Sequence, residues 1–113
     1  MIDVTIKKDD QTRYLRLIIK GHAGQADIGH DIVCASASIL AYTVAQIVKA
    51  MEHHGDLKGK PTVDLGSGDA VIALRCKNDD IFAEACHTMF VAQTGYTLLQ
   101  HNYPQYVRLI VLT

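Results

Sequence analysis

The sequence predicts an α+β fold: a small single domain over residues 1–113, with an antiparallel sheet of about five strands and two helices on one face, in the order ββαββαβ. Three observations carry this. Two pairs of strand-forming segments are each joined by a short polar turn, the pattern of hairpins. Two long stretches repeat apolar residues at helical spacing. The chain of 113 residues, 49% of them hydrophobic, is long enough for one core and too short for two.

Val4 and Ile6 alternate with Asp3, Thr5 and Lys7, and after a polar turn at Lys8 to Gln11 comes Tyr14 to Ile19, rich in strand formers. These form the first hairpin. Lys20 to His30 holds Gly21, Gly24 and Gly29, which favours a loop able to adopt positive φ. Asp31 then suits a helix N-cap, and from Ile32 to about His53 the residues Val33, Ala37, Leu40, Ala41, Val44, Ile47, Val48 and Met51 recur at helical spacing before Gly55. Pro61 to Leu65 and Ala70 to Cys76 read as a second hairpin turning at Gly66-Ser67-Gly68-Asp69. Asn78, Asp79 and Asp80 start a second helix whose face is Ile81, Ala85, Met89, Ala92, Tyr96 and Leu99, and Asn102 and Pro104 end it. Tyr106 to Leu112 is the closing strand.

Eleven Lys and Arg against twelve Asp and Glu leave a formal net charge of −1, scattered rather than clustered, so direct nucleic acid binding through a broad basic surface is not expected. Three cysteines, Cys34, Cys76 and Cys86, cannot all pair within one chain, and none stands at a close ligand spacing; a reducing, cytoplasmic setting fits them. The opening MIDVTIKKDD has early acidic residues and no apolar signal region, so the mature chain is expected to start as written. Ile32 to Val48 is uncharged, yet Ser36, Ser38, Tyr42, Thr43 and Gln46 interrupt it, which reads as a buried helix and not a membrane span. That helix is apolar around most of its circumference, so its remaining face is expected to meet a second copy of the chain in a homodimer.

The chemistry concentrates in Gly21 to Leu40. A histidine stands in a glycine-punctuated loop, and twelve residues on (34 − 22) a cysteine stands in the first turn of the helix expected from Asp31. A thiol attacks as the thiolate, and a helix N-terminus stabilises that anion because its first amides lack intrahelical partners. With Asp31 as cap, Cys34 is the third helical residue. Burial as a small hydrophobe is the competing fate for a free cysteine.

These residues resemble a known family, the bacterial ribosomal-processing cysteine proteases called Prp. The resemblance rests on Gly21-His22-Ala23, Gly29, Asp31-Ile32-Val33-Cys34-Ala35, Ser38 and Leu40, and on the closing Tyr-Pro-x-Tyr-Val segment at Tyr103 to Val107, so it spans essentially the whole chain. It implies Cys34 as nucleophile and His22 as base and acid. It further implies that the substrate is the N-terminal extension of large-subunit ribosomal protein twenty-seven, an extended peptide with aromatic residues near the cut, removed during ribosome assembly without a cofactor. Gly21, Ala23, Gly24 and Gly29 then belong to the loop that meets substrate. Asp31 either orients His22 or caps the helix, with the cap favoured, because a free carboxylate beside a thiol opposes its ionisation. Ser38, one turn beyond Cys34, either bonds the Ala35 or Cys34 carbonyl, contributes to the site, or packs the helix.

Two readings from other classes remain: a non-catalytic ribosome-associated module whose motif shapes a peptide groove, and a metal protein using His22, His30 and Cys34. The other signals are weak. His53 and His54 are adjacent on a helix and point apart, Cys86-His87 and His101 lack partners at ligand spacing, and the Gly66–Asp69 turn leads into a strand and so lacks the helix N-terminus of a phosphate cradle.

Overall fold

Alternation of apolar and polar residues lets each strand present one face to a core, and here the apolar positions fall in register across the sheet. The computed structural model describes residues 1–21, 28–66 and 69–113, and of residues 28–31 the backbone alone. Strand β1 (Ile2–Asp9) pairs antiparallel with β2 (Tyr14–Lys20), setting Val4 opposite Ile19 and Ile6 opposite Leu17. Strand β4 (Asp69–Arg75) pairs antiparallel with β2, setting Leu17 opposite Ile72 and Leu15 opposite Leu74. All of these side chains are buried. The first hairpin turns where the Asp9 carboxylate accepts from the Gln11 amide and the Thr12 hydroxyl, both at 3.0 Å.

Strand β3 (Thr62–Gly66) lies on one edge and β5 (Val107–Leu112) on the other, in the order β3-β4-β2-β1-β5. The fold class is the expected one, and one ladder differs from a purely antiparallel sheet: β5 runs parallel to β1, with Ile2 opposite Val107 and Val4 opposite Leu109. Chain direction explains it. A helix laid back along the sheet returns the chain to its starting end, so β5 must run the way β4 runs, and β1 runs that way too, two antiparallel steps from β4.

Helix α1 (Ile28–His53) and helix α2 (Asp79–Asn102) cover the buried face side by side and antiparallel. Asn78 caps α2, its side chain accepting from the Ile81 amide at 2.9 Å, with Asp79 and Asp80 in the first turn where the dipole favours them. The buried face of α2 is Phe82, Ala85, Met89, Ala92 and Tyr96; Ile81 and Leu99 sit at its margins. On α1 the buried stripe is Val33, Ala37, Ala41, Val44, Ala45 and Val48, while Ile47, expected in the core, is 37% exposed. Ile47 sits one residue before Val48 and so turns about 100° off the stripe. By length and composition α1 could cross a bilayer over Ile32–His53, but in this fold its inner stripe is committed to the core.

Gly95 sets how closely the helices approach: a Cβ there would lie 2.8 Å from a Leu40 methyl carbon. The next residue, Tyr96, is completely buried, and its hydroxyl donates to the Ala37 carbonyl at 3.0 Å, which satisfies a polar atom that would otherwise be costly to bury. Burial also holds the Tyr96 phenol well above its usual ionisation range.

Leu17 stands at the centre of the dry face, opposed by Ile6 on one side and Ile72 on the other. Leu17→Ala should therefore lower the unfolding free energy by about 2–5 kcal/mol, read from urea melts, because neighbouring strands cannot collapse into the void.

Candidate active site

Strand β2 ends at Lys20, and Gly21 turns the chain off the sheet with φ +92, in the left-handed region that glycine enters freely. The backbone there lies against the carbonyl oxygen of Met1, so closely that a Cβ at position 21 would collide with it. Met1 is held in turn, because the Ile2 amide donates to the Tyr106 carbonyl at 2.7 Å. Gly21, where the motif begins, is thus held beside the starts of β1 and β5. His22, Ala23 and Gly24, with Gln25, Ala26 and Asp27, lie outside the described residues, so the expected pairing of His22 with Cys34 is not placed by them.

The structure moves the helix start. The sequence reading put the N-cap at Asp31, but α1 begins at Ile28, so Asp31 is inside the helix and Cys34 is in its second turn. Ile28 stands four residues before Ile32, which continues the helical spacing backwards, and a side-chain preference at Asp31 does not outweigh a whole added turn. Gly29 is within that turn. The unpartnered amides belong to residues 28–31, and the Cys34 amide sits inside the ladder.

Cys34 is half-buried, packed on the edge of the core between buried Val33 and exposed Ala35. It is a free thiol reachable from one side. Ser38, one turn on, is also half-buried; among the described residues it makes no hydrogen bond to the Cys34 or Ala35 carbonyl, and it is Ser36 that bonds back, to the Ile32 carbonyl at 2.8 Å. The Tyr96 bond to Ala37 clamps the turn that follows Cys34. That contact was not legible in the sequence, where Tyr96 reads as one more core residue, because its partner is 59 positions away.

The other two thiols are held back from ionising. Cys76 is buried in a bridge to Leu57, and its pKa is pushed from an ordinary 9.0 up to about 11, chiefly by burial, with Cys86 and Asp56 adding to it. Burial also raises the Cys86 thiol, with Lys8 opposing and Asp10 adding. Among the described residues no three His, Cys, Asp or Glu side chains gather as a metal site. The His53 and His54 rings are exposed, 6.0 Å apart and tilted by 56°, and do not converge. Gly66 and Asp69 close the β3–β4 ladder and lead into β4, with Ser67 and Gly68 outside the described residues.

Residues 1–108 match the family model of the cysteine protease Prp. The ribosomal processing cysteine protease Prp of Staphylococcus aureus is 43% identical over 42 residues, 37% of this chain and 40% of that protein, so the match spans less than half of that curated relative. Over the whole fold, an essential ribosomal processing protease Prp from S. aureus, crystallised with a covalently linked product peptide, superposes with a TM-score of 0.70 at 27% identity, covering 98% of this chain and 99% of that one. Its complex with a substrate peptide gives 0.67 at 25% over the same shares. SMU.848 from Streptococcus mutans gives 0.68 at 25%, covering 100% of this chain and 95% of that one. The five-stranded mixed sheet with two helices is the architecture of these proteins.

The raised Cys76 thiol has a consequence for stability. Its native pKa lies above the unfolded one, so the native state keeps a proton that the unfolded state loses; the stabilisation is full below about 9 and is lost as pH rises toward about 11. The fall in unfolding free energy between those pH values should be smaller in Cys76→Val than in the unmodified chain, read from urea melts at each pH.

Proposed function

The chain belongs to the cysteine protease Prp family, and on that premise we propose that it is a cysteine endopeptidase that removes the N-terminal extension of large-subunit ribosomal protein twenty-seven during ribosome assembly. The observation that carries this reading is the position of Cys34: a half-buried thiol on the flank of α1, just beyond a loop whose base is pinned at Gly21, in a chain whose two other thiols are held protonated. The S. aureus protein crystallised with a covalently linked product peptide supports attack by a protein nucleophile.

In the proposed reaction His22 takes the Cys34 proton, the sulfur attacks the scissile carbonyl, and the imidazolium protonates the leaving amine; water then repeats the cycle on the acyl-enzyme. Because α1 starts at Ile28, the oxyanion donors belong to its first turn, residues 28–31, rather than to the Cys34 amide. A helical side chain leans toward its own N-terminus, which carries the sulfur back over those amides. Asp31, inside that turn, is available to orient His22 once it is no longer the cap, and Ser38 packs beside the nucleophile. Gly21, Ala23, Gly24 and Gly29 are the motif residues proposed to meet the extended peptide, Gly21 from the anchored base of the loop and Gly29 from the first turn of α1. No cofactor or metal enters the scheme.

The setting is proposed to be the cytoplasm, where three free thiols persist, with no direct contact to nucleic acid from a chain of net charge −1. A homodimer is proposed on the outer stripe of α1, where Ile32, Ile39 and Tyr42 are 49%, 61% and 46% exposed.

Intact mass of the extended ribosomal protein should show one discrete N-terminal shortening with the unmodified chain and none with Cys34→Ala, and rates at least about 10³-fold lower with His22→Ala. An unchanged mass with the unmodified chain would favour a peptide-binding module without catalysis. In sedimentation the chain should run as a dimer and Ile39→Asp as a monomer; equal masses would remove α1 as the interface.

A further inference from the structure

Helix α2 holds both sides of the proposed site from its last two turns. Toward the nucleophile it meets α1 at two successive residues: a Cβ at Gly95 would stand 2.8 Å from a Leu40 methyl carbon, and the fully buried Tyr96 hydroxyl donates to the Ala37 carbonyl at 3.0 Å. Ala37 stands three residues beyond Cys34, its neighbour one turn on. Away from α1, the end of α2 is tied to the start of the sheet. The Tyr103 amide donates to the Leu99 carbonyl at 2.8 Å, the Val107 amide to the Tyr103 carbonyl at 3.2 Å and the Leu109 amide to the Gln100 side chain at 2.7 Å. The Tyr106 carbonyl accepts from the Ile2 amide at 2.7 Å, and the Met1 carbonyl lies against Gly21, the residue before His22. The stretch 95–103 therefore fixes both the turn beside Cys34 and the point from which the His22 segment departs.

Phenylalanine at position 96 would fill nearly the same volume without a polar atom to satisfy, and the Ala37 carbonyl already lies within the α1 ladder. What the hydroxyl adds is direction, because a hydrogen bond specifies a distance and an angle where apolar surfaces tolerate sliding. Sliding is a real freedom at this seam. Farther along it a cleft of about 170 Å³ opens between Leu40, Val44 and Ile47 of α1 and Thr88, Val91 and Ala92 of α2, so apolar packing leaves α1 room to shift. We propose that Tyr96 is a positioning residue for proteolysis: its hydroxyl sets the axial and rotational position of α1 against α2, and so the placement of Cys34 relative to the segment that begins at Gly21 and carries His22. This rests on the protease reading given above and concerns how its nucleophile is placed. A displacement of about 1 Å at reacting groups costs on the order of 10²-fold in rate, so one bond that sets the register of a helix reads in turnover.

The test compares the full chain with Tyr96→Phe, which keeps the ring and removes the hydroxyl, and with Leu17→Ala, which loosens the core on the sheet side and leaves the α1–α2 bond in place. Each is assayed well below its melting point, with kcat and KM read from cleavage of the extended ribosomal protein. Tyr96→Phe should lower kcat by about tenfold and leave KM unchanged, whereas Leu17→Ala should keep kcat. A second readout needs no substrate: the rate at which iodoacetamide alkylates Cys34, located by peptide mass mapping so that Cys76 and Cys86 are counted apart. Tyr96→Phe should slow that rate in the unmodified background and add nothing where His22→Ala is already present, since the hydroxyl acts by placing Cys34 relative to His22. An unchanged kcat in Tyr96→Phe, equal kcat losses in Tyr96→Phe and Leu17→Ala, or the same slowing of alkylation with and without His22 would overturn the proposal. If the unmodified chain leaves the precursor intact and His22→Ala does not alter alkylation, the protease reading fails and this proposal fails with it. If the precursor stays intact but His22 does speed alkylation, only the choice of substrate fails, and the alkylation comparison alone decides the role of Tyr96.

Discussion

One face of the sheet has to be dry, and nearly everything else follows from that. Ile2, Val4 and Ile6 on β1 meet Leu15, Leu17 and Ile19 on β2 and Ala70, Ile72 and Leu74 on β4, all buried and all in one set of registers. Slipping any of these ladders by one residue would turn Lys7, Arg16 or Asp3 into the core. A face so committed needs a cover, and α1 and α2 supply it. Each returns the chain along the sheet, which also decides that β5 arrives parallel to β1 at the outer edge.

That cover positions the chemistry. Because α1 and α2 lie antiparallel, the start of α1 meets the end of α2, and there Gly95 permits close approach at Leu40 while Tyr96 bonds the Ala37 carbonyl. The turn that follows Cys34 is therefore fixed from behind. The loop that leads to α1 is fixed at its other end, where Gly21 lies against Met1 and Met1 is joined through Ile2 to Tyr106. A thiol on a clamped helix, following a segment whose base is pinned at Gly21, suits the role of nucleophile proposed for Cys34.

The three thiols show how burial sorts identical side chains. Cys76 and Cys86 are shifted toward the protonated form by removal from water, with acidic neighbours adding to the effect. Cys34 stands at the margin of the core, near the end of α1 whose amides are unpartnered. The earlier start of α1 separates those amides from Cys34 by about one turn, so the donors and the sulfur belong to successive layers of one helix rather than to a single residue.

Local periodicity and turn chemistry were enough to locate the strands, both helices, the start of α2 at Asn78 to Asp80 and most of the core positions, Ile47 excepted, since these depend on neighbours within a few residues. The motif from Gly21 to Leu40 marked Cys34, and the resemblance it carries gave the family. Tertiary structure decided the rest. The parallel ladder of β5, the placement of Tyr96 against Ala37 and the collision that reserves position 21 for glycine all join residues far apart in sequence, and no local pattern encodes them. The start of α1 differs for another reason: Asp31 is a good cap by its own chemistry, but a helix formed beyond it gains a backbone hydrogen bond with each residue added, and the ladder runs back to Ile28. What a residue prefers is written in its side chain, and which of its preferences is honoured is settled only when distant segments compete to bury the same surface.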